Sequence, residues 1–321
     1  MKPAHSAIKK EAPLPQREGV GASSAVLPVG PWRTVAQCLI ERFPAVGEAA
    51  WMARITRGDV VDEHGQRVTP ERLHQPLLRV FYYRELPPET RIEFDEVVLH
   101  QDAQLLVVDK PHFLPVVPSG KYLQETLLVR LKKRLNLPEL APLHRIDRDT
   151  AGLVLFAVTA QARGPYHALF REHRMAKSYV ATAHFNPAQT WPQRRASRIV
   201  PSAHFMQQCE VPATPEKFNA ITDIRCTHTQ GSLAHYALQP LTGQRHQLRV
   251  HMAALGLPIL GDGIYPVLTP EGQIDHQRPL QLVAHSLEFT DPFSGAVRRF
   301  ESQRQLLPLA VAHSLFGHPC E

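Results

Sequence analysis

The sequence predicts an α+β protein, a small mixed unit followed by a larger domain. Three observations lead there. Strand-like and helical segments follow one another irregularly, where a doubly wound parallel sheet would need strict alternation. Two apolar runs, Leu105 to Val108 and Leu153 to Val158, read as core strands. A change of pattern near residue 90, at "LPPETRIEFDEVVLHQDAQLLVVDKP", separates a short first unit from everything after it.

The elements can be taken in order. Residues 1 to 30, rich in Pro, Ala, Ser and Gly, show no sustained periodicity and are expected to form a mobile tail outside the fold. In "TVAQCLIERF" (34 to 43), Val35, Cys38, Leu39 and Ile40 lie near helical spacing, and "RITRGDVVDEHGQRVTP" (54 to 70) reads as two short elements around Glu63-His64-Gly65. These define a small unit over residues 31–90. The larger domain runs over 91–305, with Val97 to Leu99 as an early strand and residues 306–321 as a C-terminal extension. After the run at Leu153, Thr159 is placed to cap a helix with Tyr166, Leu169 and Phe170 on one side. The next strand alternates Lys177 and Tyr179 onto one face. Residues 187 to 230 are polar and Pro-rich, with hairpins expected at no fixed position. "LAHYALQP" (233 to 240) is a strand, and Leu248, Met252 and Leu255 then mark a helix stopped by Gly256 and Pro258. Arg245 and Arg249, four apart, are expected to share a face of that helix.

Composition excludes several classes. The chain has 321 residues, 43% hydrophobic and 21% charged, with a net charge of +6, part of it in the first 30 residues. Such mild basicity permits a nucleic-acid partner without requiring one. No stretch approaches the roughly 18 consecutive apolar residues of a membrane span, and no compact apolar block opens the sequence, so the expected location is the cytoplasm. Cys38, Cys209, Cys226 and Cys320 are widely spaced, which favours reduced, unligated thiols.

Nor does the sequence contain GxxxxGK[ST], a helix-opening GxGxxG or GxSxG, so nucleotide, dinucleotide and serine-hydrolase chemistry has no motif to rest on. Eighteen histidines invite a metal reading, but His246 and His251 lack the spacing and the Glu of a helical zinc pair, and no metal is expected. What remains is "HRIDRDTAGLVLFAV" (144 to 158), where Asp147 sits in a turn just ahead of a rigid strand, open to solvent and well placed for a nucleophile or base. The plainer reading pairs Asp147 and Asp149 with Arg145 and Arg148 as turn-shaping salt bridges. An arginine brought to that turn, such as Arg249, favours a carboxylate anion able to attack carbon; the plainer reading of Arg245 and Arg249 is a solvated helix face. Together an ionised carboxylate, a phenol and several arginines could hold a flipped base and its sugar phosphate.

Three separated stretches, "HRIDRDTAGLVLFA" (144 to 157), "KSYVA" (177 to 181) and "LTGQRHQLRVHMAALGLPILGDGIY" (241 to 265), resemble, in this order, the RluA-type pseudouridine synthases, with weaker matches at "LLVVDKP" and "LVAHSLEFTDPFSG". The resemblance spans roughly residues 95 to 300. It implies an extended, bent, mixed or antiparallel sheet flanked by helices, and cofactor-free isomerisation of uridine in ribosomal or transfer RNA by a monomeric enzyme. By the same resemblance Asp147 matches the catalytic aspartate, Tyr179 the tyrosine that stacks on uracil, and Arg249 the arginine paired with that aspartate. Arg145 matches the residue that fills the space left by the flipped nucleotide. His144, Thr150, Lys177, Arg245, His246, Gln247 and His251 are expected to contact RNA or substrate. The chain departs from the family pattern at Ala151, at Gln244-Arg245 and at His112-Phe113 after Lys110-Pro111. The unit at 31–90 faintly resembles a small RNA-binding module; a structural extension is the other reading. Two other functions compete, a non-catalytic RNA-binding protein of the same fold and a metal-dependent hydrolase.

Overall fold

The computed structural model describes residues 13–85, 88–270 and 275–316. Two units emerge, one running to Glu89 and including Gly120–Gln124, the other comprising Thr90–Ser119 and Glu125 onward. In the first, β1 (Ser23–Val26), α1 (Val35–Arg42), α2 (Glu48–Arg57), β2 (Val60–Asp62) and β3 (Arg79–Tyr82) follow in chain order. Thr34 and Gln37 form a reciprocal capping box at the start of α1, and Gly58, in the left-handed region, ends α2. The three strands make an antiparallel sheet in the order β1-β3-β2, packed through Val80 and Tyr82 on Val35, Leu39, Trp51 and Ile55 of the helices. The expectation of a mobile tail over residues 1 to 30 is therefore corrected. Residues 1–12 lie outside the described residues, but Ser23–Val26 pairs with β3, and Ala25 and Leu27 are buried. Four residues alternating with small side chains bury a strand without leaving a periodic signal long enough to read.

The second unit contains β4 (Val97–Gln101), β5 (Leu105–Lys110), α3 (Leu127–Leu135), β6 (Ala141–Pro142), β7 (Ala151–Ala157), α4 (Ala160–Arg171) and β8 (Ala176–His184). It continues through β9 (Gln193–Pro201), β10 (Gln208–Val211), β11 (Ala220–Gln230), β12 (Leu233–Pro240), α5 (Gln247–Ala254), β13 (Leu282–Thr290), β14 (Val297–Glu301) and α6 (Leu309–Phe316). Nine strands lie in the order β10-β9-β11-β12-β8-β13-β7-β5-β4, with β14 added to β13 and β6 to β7. Every pairing is antiparallel except β13 with β7, so the sheet is mixed and the architecture α+β.

Burial on both faces explains why β5 and β7 read as unbroken apolar runs. Leu106, Val108, Val154 and Phe156 meet Leu127 and Leu131 of α3 on one face. On the other, Leu105, Val107, Leu153 and Leu155 meet Ala162, Tyr166 and Leu169 of α4. Thr159 caps α4 by accepting from the Ala162 N–H. The region 187 to 230 resolves into β9, β10 and β11, and the C-terminal extension contributes Leu309 and Ala312 to a cluster with Leu233 and Leu260.

The parallel junction between β7 and β13 holds the frame together. Val283 pairs with Ala151 and Ala284 with Gly152, while Ala284 also pairs with Tyr179 of β8. The turn ahead of β7 and Tyr179 are thereby two strands apart, roughly 10 Å between backbones. Gly152 makes this approach possible. Its φ is +108°, and a Cβ there would lie 2.3 Å from the Ala284 carbonyl oxygen. Gly152→Ala is expected to destabilise the chain by about 3 kcal/mol; an unfolding midpoint in urea equal to wild type would contradict this role.

Candidate active site

The turn His144 to Thr150 is fixed mainly from beneath. Lys110, fully buried at the end of β5, donates from Nζ to the Arg148 carbonyl at 2.9 Å and to the Pro111 carbonyl at 2.8 Å. Burial pushes its pKa down to about 7, against the pull of the Asp149 and Asp147 charges. His112 Nδ1 holds the Asp149 carbonyl at 2.6 Å, and the Thr150 N–H donates to the Asp147 carbonyl at 3.2 Å. Arg148 pairs with Asp149 through two hydrogen bonds, 2.8 and 3.1 Å, so the turn-shaping salt bridge exists for that pair.

Asp147 is held differently. Its Oδ2 accepts from Arg249 Nη1 at 3.0 Å, and 27% of its side chain is exposed. Arg249 lies on α5 and is 2% exposed, which removes the solvated-face reading for this residue. Its other edge forms a fork on Asp262, Nε to Oδ2 at 2.8 Å and Nη2 to Oδ1 at 2.6 Å. Asp262 in turn accepts from the Ile264 and Tyr265 N–H groups at 2.8 and 3.0 Å. Burial alone would lower the Arg249 pKa, but the hydrogen bonds and charge of Asp262 and the charge of Asp147 raise it above its ordinary value. One guanidinium thus serves two carboxylates, and only Asp147 opens to solvent, the Asp262 side chain being 1% exposed.

His246, the N-cap of α5 with φ +56°, places Nε2 3.7 Å from Asp147 Oδ1. The Tyr265 hydroxyl accepts from the Gln208 N–H at 2.7 Å, leaving its own proton for His246 Nδ1 at 3.0 Å. That network assigns the neutral tautomer with Nε2–H toward Asp147. Burial holds the His246 pKa low, Asp147 pulling against it. Tyr179 keeps its proton, since burial and then the charge of Asp147 push the phenol upward. Lys177, two residues away, donates to the Thr242 carbonyl at 3.2 Å, and burial lowers its pKa.

Several sequence-predicted contacts face inward instead. Gln247 is buried, accepting from Thr242 Oγ1 at 2.8 Å and donating to the Ile221 carbonyl and Thr222 Oγ1, each at 3.0 Å. His251, 0% exposed, lies 3.1 Å from Ser197 Oγ and 2.9 Å from Thr222 Oγ1. Thr150 is buried as well. His144 Nε2 accepts from the Leu155 N–H at 3.1 Å and its ring stacks on Phe170. The expected RNA contacts of these four residues are thus corrected: Gln247 and His251 lie on the buried part of α5 and satisfy neighbouring strands, Thr150 is enclosed, and the His144 ring is engaged by the β7 backbone and Phe170. Arg245 precedes the helix and shares no face with Arg249; it is exposed and donates to the Phe205 carbonyl at 3.3 Å. Arg145 is exposed. Asp262, Tyr265 and Lys110 were not singled out in the sequence, although the Gly-flanked "GDG" after α5 marks a tight segment where a carboxylate can accept backbone N–H groups.

Two outcomes follow from this burial. Asp262→Ala leaves a buried guanidinium with one partner, and a stability loss of about 3 kcal/mol is expected by urea denaturation. For pH, burial lowers the pKa of His144 to about 3 and of His112 and His251 to about 4. An unfolded histidine titrates near 6.5, so between about 6.5 and 4 the unfolded chain binds protons that the fold refuses. The contribution of these histidines to stability is therefore full above pH 7 and falls on acidification, by about 2 kcal/mol at pH 5 for His251 alone. Urea midpoints at pH 7.5 and pH 5 measure this, and His251→Asn should show a smaller drop; a wild-type midpoint unchanged between the two would refute it.

Residues 104–254 match the family model described as RNA pseudouridylate synthase. The chain is 33% identical over 217 residues to the dual-specificity RNA pseudouridine synthase RluA of Salmonella typhi, covering 64% of this chain and 91% of that protein. Identity is also 33% over 191 residues to the pseudouridylate synthase RPUSD2 of Mus musculus, but there the match spans only 33% of the relative's length against 59% of this chain. Among solved structures, human RNA pseudouridylate synthase domain containing 1 superposes with a TM-score of 0.54 at 21% identity, over 73% of this chain and all of that one. Domain containing 4 gives 0.51 at 26%, over 67% and 90%. With a mixed sheet of the same fold and a relative matched over nine-tenths of its length, the chain belongs to the RluA-type family of RNA pseudouridine synthases.

Proposed function

We propose that this chain isomerises uridine to pseudouridine in structured RNA, ribosomal or transfer. The observation that carries the reading is the half-open Asp147 carboxylate, gripped by a buried arginine at 3.0 Å and near enough to Tyr179 for its charge to raise the phenol pKa. Relatives described as RNA pseudouridine synthases support the same reaction.

A uridine swung out of its stack presents C1′ to Asp147, whose carboxylate attacks as the N1 bond breaks and uracil leaves as its anion. Uracil turns, C5 bonds to C1′, and the carboxylate departs; the C5 proton is lost and N1 regains one. Substrate and product are isomers, so no oxidant or second substrate enters. Arg249, fixed by Asp262, holds Asp147 in one orientation and favours its anion on departure. Tyr179, a protonated phenol, lays its ring on the base. Exposed Arg145 enters the stack left by the flipped nucleotide and offsets part of an unstacking cost of a few kcal/mol.

Asp147→Asn keeps a group of the same size beside Arg249 and removes the nucleophile. Cells lacking the gene and complemented with this variant should show the same missing pseudouridine as the deletion when their RNA is mapped, while the purified variant still binds RNA. Restoration of that pseudouridine by Asp147→Asn would overturn the assignment.

A further inference from the structure

The connection from β9 to β10 carries an aromatic side chain on the wrong side for packing. Residues 202 to 207 fold tightly, the Ser202 N–H donating to the Gln207 carbonyl at 3.1 Å and the Gln207 N–H to the His204 carbonyl at 2.9 Å. Within that loop Met206 packs inward on the cluster of Val250, Ile264 and Tyr265. Phe205 is turned outward instead, 77% exposed, its ring nearly parallel to that of His204 at 5.4 Å between centroids and 24° between planes. A tight loop that buries its methionine and presents its phenylalanine leaves a flat apolar face in water, a cost that a bound partner would remove.

The loop is tied to the site. Gln207 Nε2 donates to the Ile264 carbonyl at 2.8 Å, and the Gln208 N–H donates to the Tyr265 hydroxyl that faces His246. Ile264 and Tyr265 are the residues whose N–H groups hold Asp262, which fixes Arg249. Arg245 bridges the gap: exposed itself, its guanidinium donates to the Phe205 and Met206 carbonyls at 3.3 and 3.5 Å, and its charge acts on His246 beside Asp147. The exposed aromatic pair is thus linked to the open carboxylate through a cation, Arg245, whose neighbour His246 lies 3.7 Å from Asp147.

We propose that His204 and Phe205 form a stacking shelf for an unpaired base of the substrate RNA next to the target uridine, with Arg245 on a phosphate between them. This rests on the reading of RNA as substrate. A single ring flanked by His and Arg matches the width and charge of a nucleotide better than the broad apolar core of a protein interface. Stacking on an aromatic is sequence-tolerant, so the shelf would select for an unpaired neighbour and not for a particular base.

The test uses the full chain and a fluorescein-labelled RNA hairpin with a uridine-rich unpaired loop, followed by anisotropy over a salt series. Phe205→Ala should weaken binding about tenfold with the salt slope unchanged. Arg245→Gln should weaken it and reduce the slope by about one. Phe205→Trp should bind as wild type, with its added indole emission quenched by the RNA. Equal affinity of wild type and Phe205→Ala, or no binding of the hairpin by wild type, overturns the shelf. The two readings fail separately. Weaker hairpin binding by Phe205→Ala supports the shelf even if mapping finds no pseudouridine that depends on the chain, whereas a mapped pseudouridine with unchanged Phe205→Ala affinity leaves the isomerase reading intact and removes the shelf alone.

Discussion

The structure around the site depends on one guanidinium held out of water. Arg249 is buried on a helix whose neighbours are apolar or internally satisfied, and its charge is tolerable only because Asp262 takes two of its donors and Asp147 a third. The arrangement is asymmetric in a useful way. Asp262 is enclosed and anchored by two backbone N–H groups, so it sets where the arginine is; Asp147 meets the arginine at the edge of solvent, so the arginine sets where Asp147 is. Position passes from the Gly-flanked segment to α5 and from α5 to the turn, through bonds of 2.6 to 3.0 Å.

The turn receives a second, independent constraint through its backbone. Lys110 and His112 hold the carbonyls of Arg148 and Asp149 from the β5 side, while Arg249 holds the Asp147 side chain from the α5 side. Backbone and side chain are thus restrained from different strands and helices of one sheet, an arrangement that limits the carboxylate to a narrow range of orientations. His112, at a position where the sequence departs from the pattern it otherwise resembles, adds its hydrogen bond to this scheme.

Much of this was legible in the sequence because it is local. A turn of charges before an unbroken apolar run, a capping threonine at 159 and alternation at Lys177 and Tyr179 are patterns within ten residues, and each became the expected element. The inward-facing polar residues of α5 misled because Gln247 and His251 look like ligands when their partners, Thr222 and Ser197, lie about 25 to 54 residues away in sequence. Spacing also joined Arg245 to Arg249 on one face, where the left-handed backbone at His246 breaks the helix between them. Asp262 was overlooked for a related reason: nothing near it announces a buried arginine thirteen residues earlier. The strand at Ser23–Val26 went unseen since its pairing partner, β3, supplies the order that its own four residues do not.

The central position of β13 bears on the order of synthesis. Strands β7 and β8 are consecutive through α4 in the chain yet do not pair with each other; the strand that joins them, Leu282–Thr290, is made after both and after α5. A nascent chain ending before residue 282 contains Asp147, Tyr179 and Arg249 but lacks the strand that sets the first two in register. Assembly of the site is thereby deferred until Leu282–Thr290 has left the ribosome, and a translation product stopped before that strand would carry the residues of the site without its geometry.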